Sequence, residues 1–168
     1  MKQKKQINID YMALAMAEAK KAGLRGEVPI GAVIVRFNKG IKNSGAVIAK
    51  AHNQRERKQN ALAHAEILAI NRACKRLKSW RLDDCVMYVT LEPCPMCAGA
   101  ILNARIKKVV IGAKQLTNNE YNCEHNDQTT SINKDIYQKN NLNWKTEVEF
   151  DLRPECSKIL KEFFKQKR

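Results

Sequence analysis

Four residues in this chain have the types and the spacing to hold a metal ion and to move a proton beside it. They are His64 and Glu66, in His64-Ala65-Glu66, and Cys94 and Cys97, in Pro93-Cys94-Pro95-Met96-Cys97. Cysteines three apart at a helix start project from one face. The electropositive helix N-terminus lowers thiol pKa toward the thiolate a metal requires. His64 adds one neutral imidazole nitrogen. Two thiolates and one imidazole neutralise Zn2+ and leave the fourth tetrahedral position for water, whereas a structural zinc site would normally use four protein ligands. Water held there ionises near neutral pH. Glu66 stands two residues beyond His64, about 200° around a regular helix, so the two are not side-by-side ligands. The spacing suits a glutamate reaching back beside that water, with a pKa raised by a partly dehydrated pocket, as a proton shuttle requires. Alone, His-Ala-Glu is usually an exposed helix start, and Pro-Cys-x-x-Cys could be redox, structural or neither. Together, each ahead of an apolar helix, they point to a catalytic zinc site. Cys123-Glu124-His125 offers no further ligand pair, and His52 reads as pocket wall or packing.

These residues must be positioned by helices and strands that alternate along the chain. Asp10 caps a first helix ending near Gly23. Ile30 to Phe37 reads as a buried strand, Asn38 to Gly45 as a polar turn, and Ala46 to Ala51 as its hairpin partner. A helix is expected over 61–78, a strand over Cys85 to Thr90, a short helix over Pro95 to Ala104, and a strand over Lys108 to Ala113. Gln115 to Asn143 is polar and expected as a long loop with weak helix near Ile132 to Tyr137. Trp144 to Leu152 alternates like an edge strand, and a last helix from Pro154 presents Cys156, Ile159, Leu160, Phe163 and Phe164. The order implies an α/β chain of three layers, α/β/α, with a mixed sheet and helices on both faces.

Length and composition set the remaining bounds. The 168 residues suit one domain, with a basic tail over 1–8 and a terminal helix over 154–167. No apolar stretch is long enough to cross a bilayer, and no signal peptide is evident, so a cytoplasmic location is expected. Six cysteines could pair, but a chain of this size needs no staples, and the absence of an export signal favours thiols. The charge of +14, from 31 Lys+Arg and 17 Asp+Glu, leaves two readings open: a polyanionic partner or compositional drift. Basic residues crowding both termini favour the partner.

The run from Thr90 to Ile106 resembles the bacterial tRNA-specific adenosine deaminases, as do Gly26 to Val33, His52-Asn53, Ala63 to Glu66, Ser79 to Leu82 and Phe163-Phe164. The H-x-E…P-C-x-x-C pattern is shared by zinc-dependent nucleobase deaminases. The resemblance implies a cytidine-deaminase-like fold and hydrolytic conversion of adenosine to inosine at the wobble position of a tRNA anticodon. It implies one Zn2+ per subunit on His64, Cys94 and Cys97, with Glu66 as the acid–base group. It assigns Asn53 to the target nucleoside, Val28 to a wall of the base pocket, and Phe164 to a C-terminal helix meeting the anticodon loop. A homodimer and an anticodon stem-loop, expected to be that of tRNA-Arg, are the implied partners, with no membrane. The chain departs from the family after Ala113, where Lys114 to Asn119 replaces an acidic residue, a lysine and a Gly-Ala-rich turn. Two alternatives share these residues. One is a deaminase of a free base or nucleoside, of guanine or cytosine type; the other is a non-catalytic RNA-binding subunit with structural zinc. The charge and the Ile101 to Ile106 run weigh against the first, and Glu66 against the second.

Overall fold

In this computed structural model, residues 9–37, 45–115 and 144–167 are described. The strands are β1 (Gly31–Phe37), β2 (Gly45–His52), β3 (Cys85–Val89), β4 (Lys108–Ile111) and β5 (Glu147–Phe150). They form one sheet in the order β2-β1-β3-β4-β5. β1 runs antiparallel to β2 and β3, while β4 runs parallel to β3 and β5, so the sheet is mixed.

Strand alternation explains why both faces are covered. In β1, Ala32 and Ile34 point into one apolar layer and Val33 and Val35 into the other. The first layer is closed by α3 (Ala65–Leu77) and α4 (Pro95–Asn103) through Ala69, Ala73, Ala98 and Ile101. The second is closed by α1 (Tyr11–Gly23) and the terminal helix α5 (Pro154–Gln166) through Met12, Ala15, Ala19 and Cys156. The three-layer α/β/α architecture expected from the sequence is therefore present. Asp10 caps α1 as expected, accepting from the Ala13 N–H at 3.0 Å. Gly31 lets that helix settle on the sheet, since a Cβ there would stand 2.1 Å from the Ala15 carbonyl oxygen.

The helix expected over 61–78 is shorter, and a four-residue helix, α2 (Arg55–Lys58), precedes it. Turn chemistry explains the difference. Gln59 takes a left-handed backbone (φ 47°), and Asn60 Oδ1 accepts from the Leu62 N–H at 2.8 Å. The chain turns at Ala61-Leu62, His64 is extended, and α3 begins at Ala65. The expected edge strand over 144–152 pairs only at Glu147–Phe150, parallel to β4. The cysteines at 74, 85, 94, 97 and 156 are free thiols. Among the described residues, no helix is long and apolar enough to cross a membrane. The tail over 1–8, most of the hairpin turn, Cys123-Glu124-His125 and the expected weak helix near 132–137 lie outside the described residues.

Candidate active site

Two helix N-termini meet at one point beneath the sheet's first layer. His64 is the N-cap of α3 (φ −72°, ψ 154°), and Cys94 is the N-cap of α4 (φ −67°, ψ 167°). Pro95 occupies the first helical turn, where its missing N–H costs nothing. Cys97, in that same turn, is fully buried. The His64 Nδ1 lies 3.7 Å from Cys94 Sγ and 3.6 Å from Cys97 Sγ. The candidate ligand atoms of all three lie within 4.8 Å of one another, so the group could hold a metal ion.

Electrostatics favour that use. The hydrogen bond from Cys97, then the one with His64, holds the Cys94 thiol down at about 4. Cys97 is pushed up as the donor to Cys94 and by its own burial. His64 is raised, chiefly by its hydrogen bond with Cys94. Cys94 thus carries thiolate character at the positive ends of two helix dipoles.

Glu66 sits in the first turn of α3 and is buried, with 3% of its surface exposed. Burial pushes its carboxyl up to about 6. One oxygen, Oε2, is buried with no hydrogen-bond partner, which is rare for a native carboxylate and marks a position where another polar group belongs. His64 is extended and precedes the helix, so it and Glu66 are not two positions of one regular helix as the spacing predicts. Glu66 reaches the same corner from the first turn, in contact with Cys97.

The three residues assigned to substrate fall in two places. Val28 and Phe164 share a cavity of about 420 Å3 with Leu91, Leu160, Lys161 and Lys165, among others. None of His64, Glu66, Cys94, Cys97 or Asn53 lines it. Leu91, three residues before Cys94, connects the cavity to the metal corner along the chain. Asn53 is buried just past β2, its Nδ2 donating to Glu27 Oε2 at 3.4 Å. His52 is not a ligand. Glu18 Oε2 lies 2.8 Å from its Nδ1, and the Arg25 guanidinium lies 2.9 Å from its Nε2. Because Arg25 can only donate, Nε2 accepts and Nδ1–H donates to Glu18.

Buried carboxylates are what sequence reasoning missed. Glu92 N–H donates to the Ala113 carbonyl at 2.8 Å, and Glu92 Oε2 accepts from the Gln115 N–H at 3.2 Å. The loop before Cys94 is thereby tied to the end of β4. Glu27 binds backbone amides of α2 about thirty positions downstream, and no spacing rule announces such a contact.

Comparison with known proteins agrees with this geometry. A family model for MafB19-like deaminases matches residues 7–168. The tRNA-specific adenosine deaminase of Bacillus subtilis (strain 168) is 45% identical over 159 residues, covering 94% of this chain and 89% of its own. The chain belongs to the family of tRNA-specific adenosine deaminases. A solved tRNA:A34 deaminase, from structural work on A-to-I editing at the wobble position, matches this family member with a TM-score of 0.72 at 36% identity. That match covers 89% of this chain and 98% of the solved one. A guanine deaminase from Bacillus subtilis is 41% identical but covers only 62% of either chain, with a TM-score of 0.55.

Proposed function

We propose that this chain deaminates adenosine to inosine at the wobble position, adenosine 34, of a tRNA anticodon, consuming one water and releasing ammonia. The observation that carries the reading is the unpartnered, buried Oε2 of Glu66 beside a corner of one histidine and two cysteines. The donor set fits zinc. A tetrahedron with Zn–S of about 2.3 Å and Zn–N of about 2.0–2.1 Å has S···N edges of about 3.5 Å. The corresponding separations here are 3.6 and 3.7 Å.

His64 Nδ1, Cys94 Sγ and Cys97 Sγ would hold one Zn2+ per subunit, which supplies a Lewis acid that lets water ionise near neutral pH. Glu66 accepts the proton that the attacking water gives up and delivers it to N1 of the adenine. It then takes the second proton from the hydroxyl added at C6 and gives it to the amino group, which leaves as ammonia while the C6 carbonyl forms. A carboxyl held near 6 by burial is suited to both roles. Asn53 contacts the target nucleoside, and Val28 forms an apolar wall for its base. Phe164, with Lys161 and Lys165 on the same helix, meets the anticodon loop. The charge of +14 supports a polyanionic substrate.

In this reading the whole chain, 1–168, is one deaminase domain that acts as a cytoplasmic homodimer, with tRNA-Arg as its substrate. Of the small residues Ala98, Gly99 and Ala100, Ala98 packs in the core, and the partly exposed Gly99 and Ala100 support a close helix interface, since a Cβ on Gly99 would meet nothing within 4 Å.

The likeness to a guanine deaminase motivates one competing reading, a deaminase of free bases. Incubating the purified protein with an anticodon stem-loop carrying adenosine 34, and separately with guanine, cytosine and adenosine, decides between them. Inosine in the stem-loop is the expected result, and turnover of guanine or cytosine alone would sink the tRNA reading.

A further inference from the structure

Glu27 is 1% exposed and stands outside the metal corner, yet it touches a residue assigned to substrate. Its Oε1 accepts from the Arg57 N–H at 2.8 Å. Its Oε2 accepts from the Glu56 N–H at 3.2 Å and from Asn53 Nδ2 at 3.4 Å. The two backbone donors fix the plane of the carboxylate, so Asn53 meets an acceptor whose position is set by α2. An asparagine amide has a donor end and an acceptor end, and the neighbour's chemistry decides which end faces it. Facing a carboxylate, the amide must turn Nδ2 inward, because Oδ1 there would set two acceptors against each other. Oδ1 is thereby committed to the other side.

We infer that Glu27 is a positioning residue that locks the Asn53 amide so that its carbonyl oxygen is presented to a hydrogen-bond donor of the bound nucleoside. The inference rests on the reading of Asn53 as a nucleoside contact. Backbone bonds carry the setting toward the metal corner. Asn53 N–H donates to the Ile30 carbonyl, and Gln54 N–H to the carbonyl of Ala63, the residue before His64, both at 3.0 Å. Glu27 therefore joins the loop before β1, the exit of β2 and the start of α2. The acceptor on Asn53 is held in register with His64 by main chain rather than by flexible side chains.

Swapping polarity across the pair tests the role. In Glu27→Gln, the shorter bond to Arg57 N–H keeps the amide oxygen in place and turns the new NH2 toward Asn53; the bond from Glu56 N–H is lost in the single and the double variant alike, so it cancels when the two are compared. The Asn53 amide then flips and offers the nucleoside a donor. In Asn53→Asp, two carboxylates confront each other. The double variant Glu27→Gln/Asn53→Asp restores a donor facing an acceptor and again leaves an oxygen outward. Each protein is loaded with zinc, checked for metal content, and assayed for kcat and KM on the adenosine-34 stem-loop.

Each single variant is expected to lose about 10- to 100-fold in kcat/KM at unchanged zinc content, the cost of one misdirected hydrogen bond to a buried group. The double variant should stand at least about tenfold above either single, a coupling that independent structural damage would not produce. Additive losses in the double variant would overturn the positioning role. So would wild-type activity of Glu27→Gln alongside an impaired Asn53→Ala. Full activity of Asn53→Ala would instead remove the nucleoside contact itself, and the inference with it.

Discussion

The metal corner and the cavity of Val28 and Phe164 are built by different means. The corner arises where two helices begin, and all four of its residues fall within two short motifs, 64–66 and 94–97. The cavity gathers the loop before β1, Leu91, the end of β4 and one face of α5, segments from across the chain. Chemistry is therefore specified locally, and the second region, which we assign to recognition, by tertiary packing. The cysteines repeat the contrast within one residue type. Cys94, at a helix start beside Cys97 and His64, is held at about 4. Cys85 and Cys156, packed into the core, are pushed up to about 12 chiefly by burial. The hydrogen bonds from Cys97 and His64, and not the thiol itself, set Cys94 apart.

The strongest way to break this comparison is to remove a ligand. His64→Ala or Cys97→Ala should lose zinc and inosine formation together, with activity down by more than about a thousandfold. Three protein ligands leave no redundancy. Metal analysis and a stem-loop assay on the same preparation check this. Retained zinc with lost activity would contradict it.

A smaller effect concerns what the corner costs the fold. In the chelator-treated protein, burial raises the Glu66 carboxyl from 4.5 to about 6, so the folded state binds that proton more tightly than the unfolded chain. The stabilisation from protonation is complete below pH 4.5 and is lost as pH rises through about 6. Metal-free Glu66→Gln, which stays neutral, should therefore be more stable than metal-free wild type at pH 8. The difference should be about 2 kcal/mol and should vanish below about pH 4. Urea unfolding at the two pH values measures it.

Substitutions in the cavity should be milder and differently signed. Phe164→Ala removes a half-exposed ring and is expected to raise KM about tenfold with kcat little changed, the signature of lost uniform binding. Replacing Lys161 and Lys165 by alanine should weaken RNA binding a few-fold at low salt. It should also flatten the salt dependence by about one unit of slope per lysine. Equal losses of kcat in these variants would erase the distinction between the two regions.

The same division explains how much was legible in the sequence. His64, Glu66, Cys94 and Cys97 could be found because ligand spacing and helix starts are local properties, and the strands because Val, Ile and Ala alternate into two apolar layers. The start of α3 lies four residues later than the pattern predicts. The left-handed turn at Gln59 and the Asn60 side chain overrode the helical pattern of residues 61 to 64. Val28 and Phe164 are assigned by resemblance alone, and their shared cavity depends on α5 meeting Val28, Leu91 and residues 113–115, which no periodicity encodes. Glu27 went unread as a functional residue because its partners are backbone amides of α2, a helix too short to leave a pattern.

The central claim is that Glu66 works as the proton carrier beside a metal held by His64, Cys94 and Cys97. Zinc-loaded Glu66→Gln, assayed in single turnover on an anticodon stem-loop with adenosine 34, tests it most directly. The account predicts one zinc per chain and an inosine-forming rate lower by about 10²- to 10⁴-fold. A wild-type rate at full zinc occupancy would contradict it.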